Sequence, residues 1–348
     1  MKLRRWSTIA LVVVAGVTLG APAARAAVPD RAGFVLFAAG AVSNAFPAGT
    51  AVGPSGVPGH WVVRFPGQAA PNGIVHVTAV HDGVGIPPGR WCQAEDWGPV
   101  GADEQVKVAC YAPGGAADPR PGFSVLFTRS SGPFAGPDRY GYVDANPAGV
   151  IISQYNSVGA VSTITHAGPG LYSFSLNGLG TASPNAGHLQ LTAVNPAAGA
   201  RCKVATWSSS PNGQFGRILC HNAVGAPADT RFALSYQFQR SLYGPKLPPS
   251  RYGYLWQAPP LGPAPTNFNS TGVANTLAGG GPYGLRYPNL ASNPGNAQVT
   301  AFGGGADFCN LQAPWSIAGP DMVLRVACYT SAGASVPGAF FAGYSARA

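Results

Sequence analysis

The chain has 348 residues, of which 46% are hydrophobic and only 9% charged, while Gly (48) and Pro (34) together make up close to a quarter. Its formal charge of +9 falls to +5 once Lys2, Arg4, Arg5 and Arg25 are set aside, because 17 bases then face 12 acids. That balance excludes the dense basic stripe needed to neutralise phosphates, so nucleic acid is not expected as a partner.

Residues 1–26 read as a signal peptide. Basic residues precede an apolar stretch from Ile9 to Leu19, and the segment closes on Ala24-Arg25-Ala26, an A-x-A cleavage site. The stretch falls short of the roughly 20 residues of a spanning helix, and no later stretch approaches that length. Arg4-Arg5 also suits twin-arginine export. A secreted, extracellular product starting at Ala27, with no membrane-spanning segment, is therefore expected.

Beyond the signal, Gly and Pro separate short alternating apolar runs and no amphipathic helix of useful length appears, which predicts an all-β fold. Self-comparison then gives the organisation. Three copies each open on Arg-x-Gly-aromatic, at Arg31–Phe34, Arg139–Tyr142 and Arg251–Tyr254. Alternating strands follow at Trp61–Phe65, Tyr172–Leu176 and Tyr283–Tyr287. Next come His76–Val80, Gln190–Val194 and Gln298–Phe302, patterned as strands with one buried face.

The cysteines carry the register. Cys92 and Cys110 are 18 apart, as are Cys202 and Cys220, while Cys309 and Cys328 are 19 apart. Trp97, Trp207 and Trp315 each precede the second cysteine by 13. The third copy's extra residue thus lies between Cys309 and Trp315, where a β-bulge could absorb it. Lys107, Arg217 and Arg325 point outward from the strand that leads into the second cysteine, and the copies close on aromatic strands near Phe123, Phe232 and Phe340.

These landmarks predict three tandem β-sandwich domains, immunoglobulin-like or jelly-roll, of six or seven strands, at residues 27–137, 138–249 and 250–348. Short linkers predict a semi-rigid rod, and a monomer is expected. A cysteine pair recurring once per copy in an exported chain predicts the disulfides Cys92–Cys110, Cys202–Cys220 and Cys309–Cys328, each contributing about 3 kcal/mol. No repeated His accompanies them, so no zinc site or other cofactor is expected.

A residue serving all copies should stand in all copies. His76 fails that test against Gln190 and Gln298, and His221 fails it against Tyr111 and Tyr329. No nucleophile elbow, phosphate loop or zinc-protease motif occurs. The one acidic cluster, Glu95, Asp96, Asp103 and Glu104, belongs to the first copy and reads first as a solvated hairpin loop, with calcium or hydrolysis behind it. The repeated Trp97, Trp207 and Trp315 read as rings packed on the disulfide, or as platforms for sugar rings. In an unbroken strand, Trp97 and Trp207 fall on the face opposite their cysteine and Trp315 on the same face.

Taken together, His76–Val80, Cys92–Trp97, Val106–Cys110 and Phe123–Phe127, with their counterparts, resemble a family of secreted tandem-repeat β proteins from high-GC actinobacteria. The resemblance brings no activity, ligand or site residue with it. The third copy departs from the family pattern at the extra residue before Trp315 and in lacking a counterpart of Asp118 and Asp229. The sequence therefore points to a non-catalytic, multivalent binding or surface protein, with cell-wall or extracellular polysaccharide, or the cell envelope, as partner. The alternatives are an extracellular hydrolase using the first copy's acids with His81 and Asp82, and a protein-interaction or inhibitor module.

Overall fold

The computed structural model describes residues 30–81, 89–120, 122–133, 136–183, 186–244, 251–258 and 266–347. The segment read as a signal peptide, residues 1–26, and Asp82 lie outside these residues. Everything described is strand, turn or irregular.

The first unit contains β1 (Arg31–Ala38), β2 (Ala41–Phe46), β3 (Ala51–Pro54) and β4 (His60–Phe65). It continues through β5 (Ile74–Ala79), β6 (Trp91–Val100), β7 (Asp103–Tyr111) and β8 (Gly122–Arg129). The second unit runs through β9 (Arg139–Ala145), β10 (Ile151–Asn156), β11 (Thr163–Gly168) and β12 (Leu171–Asn177). It ends with β13 (His188–Val194), β14 (Ala200–Ser210), β15 (Gly213–Asn222) and β16 (Arg231–Phe238). The third comprises β17 (Tyr252–Gln257), β18 (Thr266–Asn269), β19 (Thr276–Ala278), β20 (Tyr283–Tyr287) and β21 (Gly295–Phe302). It closes with β22 (Phe308–Leu311), β23 (Ser316–Ala318), β24 (Asp321–Tyr329), β25 (Ser335–Val336) and β26 (Ala339–Ala346).

Each unit is a sandwich. In the first, the sheet β2-β1-β8-β5 faces the sheet β3-β4-β7-β6, which makes eight strands rather than six or seven. The two missed by sequence, β2 and β3, are exposed or half-buried throughout and carry no apolar alternation to betray them. The opening Arg-x-Gly-aromatic motif also finds its reason here. A Cβ at Gly33 would sit 2.5 Å from the Phe65 ring, and one at Gly253 would sit 2.8 Å from the Tyr287 ring. Glycine lets an aromatic side chain of the facing sheet lie against the backbone.

The units do not form a rod. They close into a ring, because the second sheet of the first and of the second unit continues into the first sheet of the next, and an isolated bridge joins the second sheet of the third unit to the first sheet of the first. Three parallel bridges make the seams: Ala94 with Val194, Val204 with Phe302, and Leu311 with Val80. Each seam carries one equivalent main-chain bond, from Asn195 N–H to Ala94 O (3.0 Å), from Gly303 N–H to Val204 O (2.9 Å), and from His81 N–H to Leu311 O (3.0 Å). The cores are shared in the same cyclic order. Tyr140 and Tyr142 of the second unit pack into the first core, Trp256 and Phe341 of the third into the second, and Leu36 and Val80 of the first into the third.

β5, β13 and β21 line the pseudo-threefold axis. They are buried on both faces, not on one, because the face opposite each sandwich core meets the other two units. Their polar residues are therefore bonded to one another. Thr78 donates to Gln298 Oε1 (2.7 Å) and accepts from Val299 N–H (3.0 Å). Thr300 donates to Gln190 Oε1 (2.9 Å) and accepts from Leu191 N–H (2.9 Å). Thr192 accepts from Val77 N–H (3.1 Å) and lies 3.4 Å from Nδ1 of His76, whose Nε2 lies 2.7 Å from Ser235 Oγ. Each threonine clamps the unit preceding it in the cycle, and His76 occupies the slot that glutamine fills in the other two copies.

Candidate functional site

The three disulfides form as expected and cross-link directly opposed residues, Cys92 with Cys110, Cys202 with Cys220, and Cys309 with Cys328, at Cα separations of 4.0, 4.0 and 3.9 Å. The Gly59 and Gly170 turns feed these hairpins. Their carbonyls accept the N–H of Cys110 and Cys220, and φ values of 79° and 65° demand glycine.

All three tryptophans turn inward. In the first two units the strand bulges between Ala94 and Asp96 and between Val204 and Thr206, and this shift returns Trp97 and Trp207 to the cysteine's face. The bulges thus belong to copies one and two. In the third the strand is interrupted between β22 and β23, and its offset of six already has the right parity. Trp207 and Trp315 are each 7% exposed, and Trp207 donates to Gln214 Oε1 (2.9 Å) while packing on Trp256 and Phe341. Neither offers an open ring to a sugar. Trp97 is half-buried, with the Arg231 guanidinium 4.3 Å above its ring.

The acidic cluster divides. Asp103 bonds Arg64 and the Gly67 N–H, which hold its carboxyl below the usual range. Glu104 is fully buried and accepts from Ala70 N–H (3.1 Å), and burial pushes its carboxyl up to about 8. Neither faces Glu95 or Asp96. Among the described residues no group of three His, Cys, Asp or Glu is placed to hold a metal ion. His81 stacks on Tyr329 (5.8 Å) at the boundary of the first and third units, whereas Glu95 and Asp96 face the second. The structure does not bring His81 together with those acids.

Glu95 and Asp96 instead line a groove of about 800 Å³ between the first two units. Its first wall is the β4-β7-β6 face, where His60 Nδ1 lies 2.8 Å from Glu95 Oε1 and Lys107 stands exposed. Its second wall is the end of β13 and the start of β16. There Arg231 holds Asp144 with a two-pronged contact (Nε–Oδ1 2.8 Å, Nη2–Oδ2 2.9 Å) and reaches Asp96 through Nη1 (3.2 Å). Asp229 accepts from Gly170 N–H (2.7 Å) and lies 2.8 Å from His166 Nε2, and both contacts hold its carboxyl below the usual range. The floor and rim include Val194, Pro147 and Pro196. The groove is thus a polar cleft on a rigid frame, with donors and acceptors already oriented by ion pairs.

Of these residues, sequence reasoning reached only Glu95, Asp96 and Lys107. It missed His60, Asp144, His166 and Arg231, and noted Asp229 only as a position without a counterpart in the third copy. No protein-family model, no curated protein and no solved structure matches this chain.

Proposed function

We propose that this is a secreted, non-catalytic binding protein, with one groove per chain that takes a hydroxyl-rich segment of cell-wall or extracellular polysaccharide. The groove between the first two units carries the reading. Its volume lies in the range of small-molecule sites, and it mixes apolar floor with a few convergent polar groups. Carboxylates and a lysine facing one cleft suit sugar hydroxyls, which both donate and accept. The three disulfides suit an oxidising, extracellular setting, in keeping with the signal peptide read in residues 1–26.

A glycosidase needs one carboxyl protonated as general acid and a second free as base or nucleophile. Here Glu95 and Asp229 are paired with histidines, and Asp96 and Asp144 with Arg231. That commitment favours binding over hydrolysis. The test is retention of the oxidised chain, from Ala27 onward, on insoluble polysaccharides, cell envelopes and immobilised oligosaccharides, beside the Glu95→Gln variant. Retention of the parent, weakened at least tenfold in the folded variant and without release of sugar, is expected. No retention on any of these materials would overturn the reading.

A further inference from the structure

We propose that the pseudo-threefold axis holds a buried site for a small monovalent anion of the halide class, with Arg201 as its counter-charge. The residue preceding each first cysteine points toward the axis, and the three differ: Trp91, Arg201 and Phe308. The Arg201 guanidinium lies against both rings, 4.4 Å from the Trp91 centroid and 4.5 Å from that of Phe308, and the residue is only 6% exposed.

The aromatic rings attract the cation but supply no oxygen or nitrogen acceptor to its N–H groups. Nη2 reaches the Asn222 and Ala223 carbonyls at 3.4 and 3.3 Å. Nε and Nη1 are buried with no acceptor among the described residues, and none of the described carboxylates lies within ion-pair distance. The nearby Lys203 does not help, since it is matched by Asp307 at 2.7 Å. One positive charge is left over, in a place where an unmatched charge costs several kcal/mol.

Arg201 lines a cavity of about 50 Å³ bounded by the equivalent disulfides and threonines of all three units. This has room for one halide or for one or two waters, and none for a sugar. The threonine hydroxyls are already engaged with glutamines or backbone N–H groups of a neighbouring unit. The guanidinium is therefore the group in need of a partner. Waters would satisfy its donors, but only an anion also matches its charge.

The experiment is thermal unfolding of the oxidised protein in sodium bromide or chloride against sodium gluconate at matched ionic strength, together with bromide anomalous diffraction. We expect the halides to raise Tm by about 2 °C for each tenfold increase above the dissociation constant. We also expect a bromide peak in the axial cavity beside Arg201, and no halide dependence in Arg201→Met. If that variant fails to fold, the anomalous map of the parent decides. Equal Tm values in all salts with no axial peak would overturn the proposal, leaving a water-filled cavity. Halide stabilisation that persists in a folded Arg201→Met protein would overturn it too.

Discussion

The boundary between the first and second units and that between the second and third are built on the same backbone, yet among the described residues only the first is dressed as a polar cleft. Both seams have a parallel bridge, an equivalent main-chain bond and a bulged strand. Register places Leu171 where the first boundary has His60, Ala205 for Glu95, Thr206 for Asp96, and Ala339 for Arg231. Of the charged groups facing the groove, the basic site of Lys107 alone recurs, as Arg217. The frame recurs in triplicate while the charge is concentrated at one of the two clefts, which separates what holds the ring from what is available to a ligand.

The largest expected effect is on the shared axis. Burial pushes both His76 and His188 down to about 3 from an ordinary 6.5. Both rings are neutral when folded, so between pH 3 and 6.5 the unfolded chain binds more protons. The histidines' contribution should therefore be complete above about 6.5 and fall by several kcal/mol on acidification toward 3. Urea titrations across that range measure it. His76→Gln, which restores the third glutamine of the cycle, should flatten part of this acid arm.

Next in size is Arg231→Ala, which leaves Asp144, nearly inaccessible, without its partner. A loss of about 3 kcal/mol is expected, along with loss of ligand retention. Thr192→Val follows. It strands the buried Val77 N–H and should cost about 1–3 kcal/mol without altering the groove. Glu104→Gln acts in the opposite pH direction to the histidines. The carboxyl is raised from 4.5 to about 8, so its contribution is present below 4.5 and lost as pH rises through 8. The variant should flatten that alkaline loss. Smallest is Lys107→Ala on the exposed groove wall, expected to change stability by less than about 0.5 kcal/mol while weakening binding.

The sequence made the core strands, the repeat and the disulfides legible because each rests on local spacing, whereas β2 and β3, with no apolar alternation, were not. Ring closure was hidden. The alternation of β5, β13 and β21 is that of half-exposed strands, and nothing local reveals that Thr78, Thr192 and Thr300 each bond the neighbouring unit across the axis. The parity of Trp97 was unreadable for a similar reason, since a bulge at Glu95 leaves no signature in composition. The groove escaped because the test applied to the repeat retained only residues common to all copies. The signal lay in the departures: His60 against Leu171 and Pro282, and Arg231 against Gly122 and Ala339.

The most direct test of the central claim, that one boundary of a triplicated frame binds, is the stoichiometry of an oligosaccharide retained in the panel, measured by titration calorimetry on the intact oxidised chain. The account predicts one site per chain, abolished by Glu95→Gln with Arg231→Lys. Three equivalent sites, or one site indifferent to both substitutions, would contradict it.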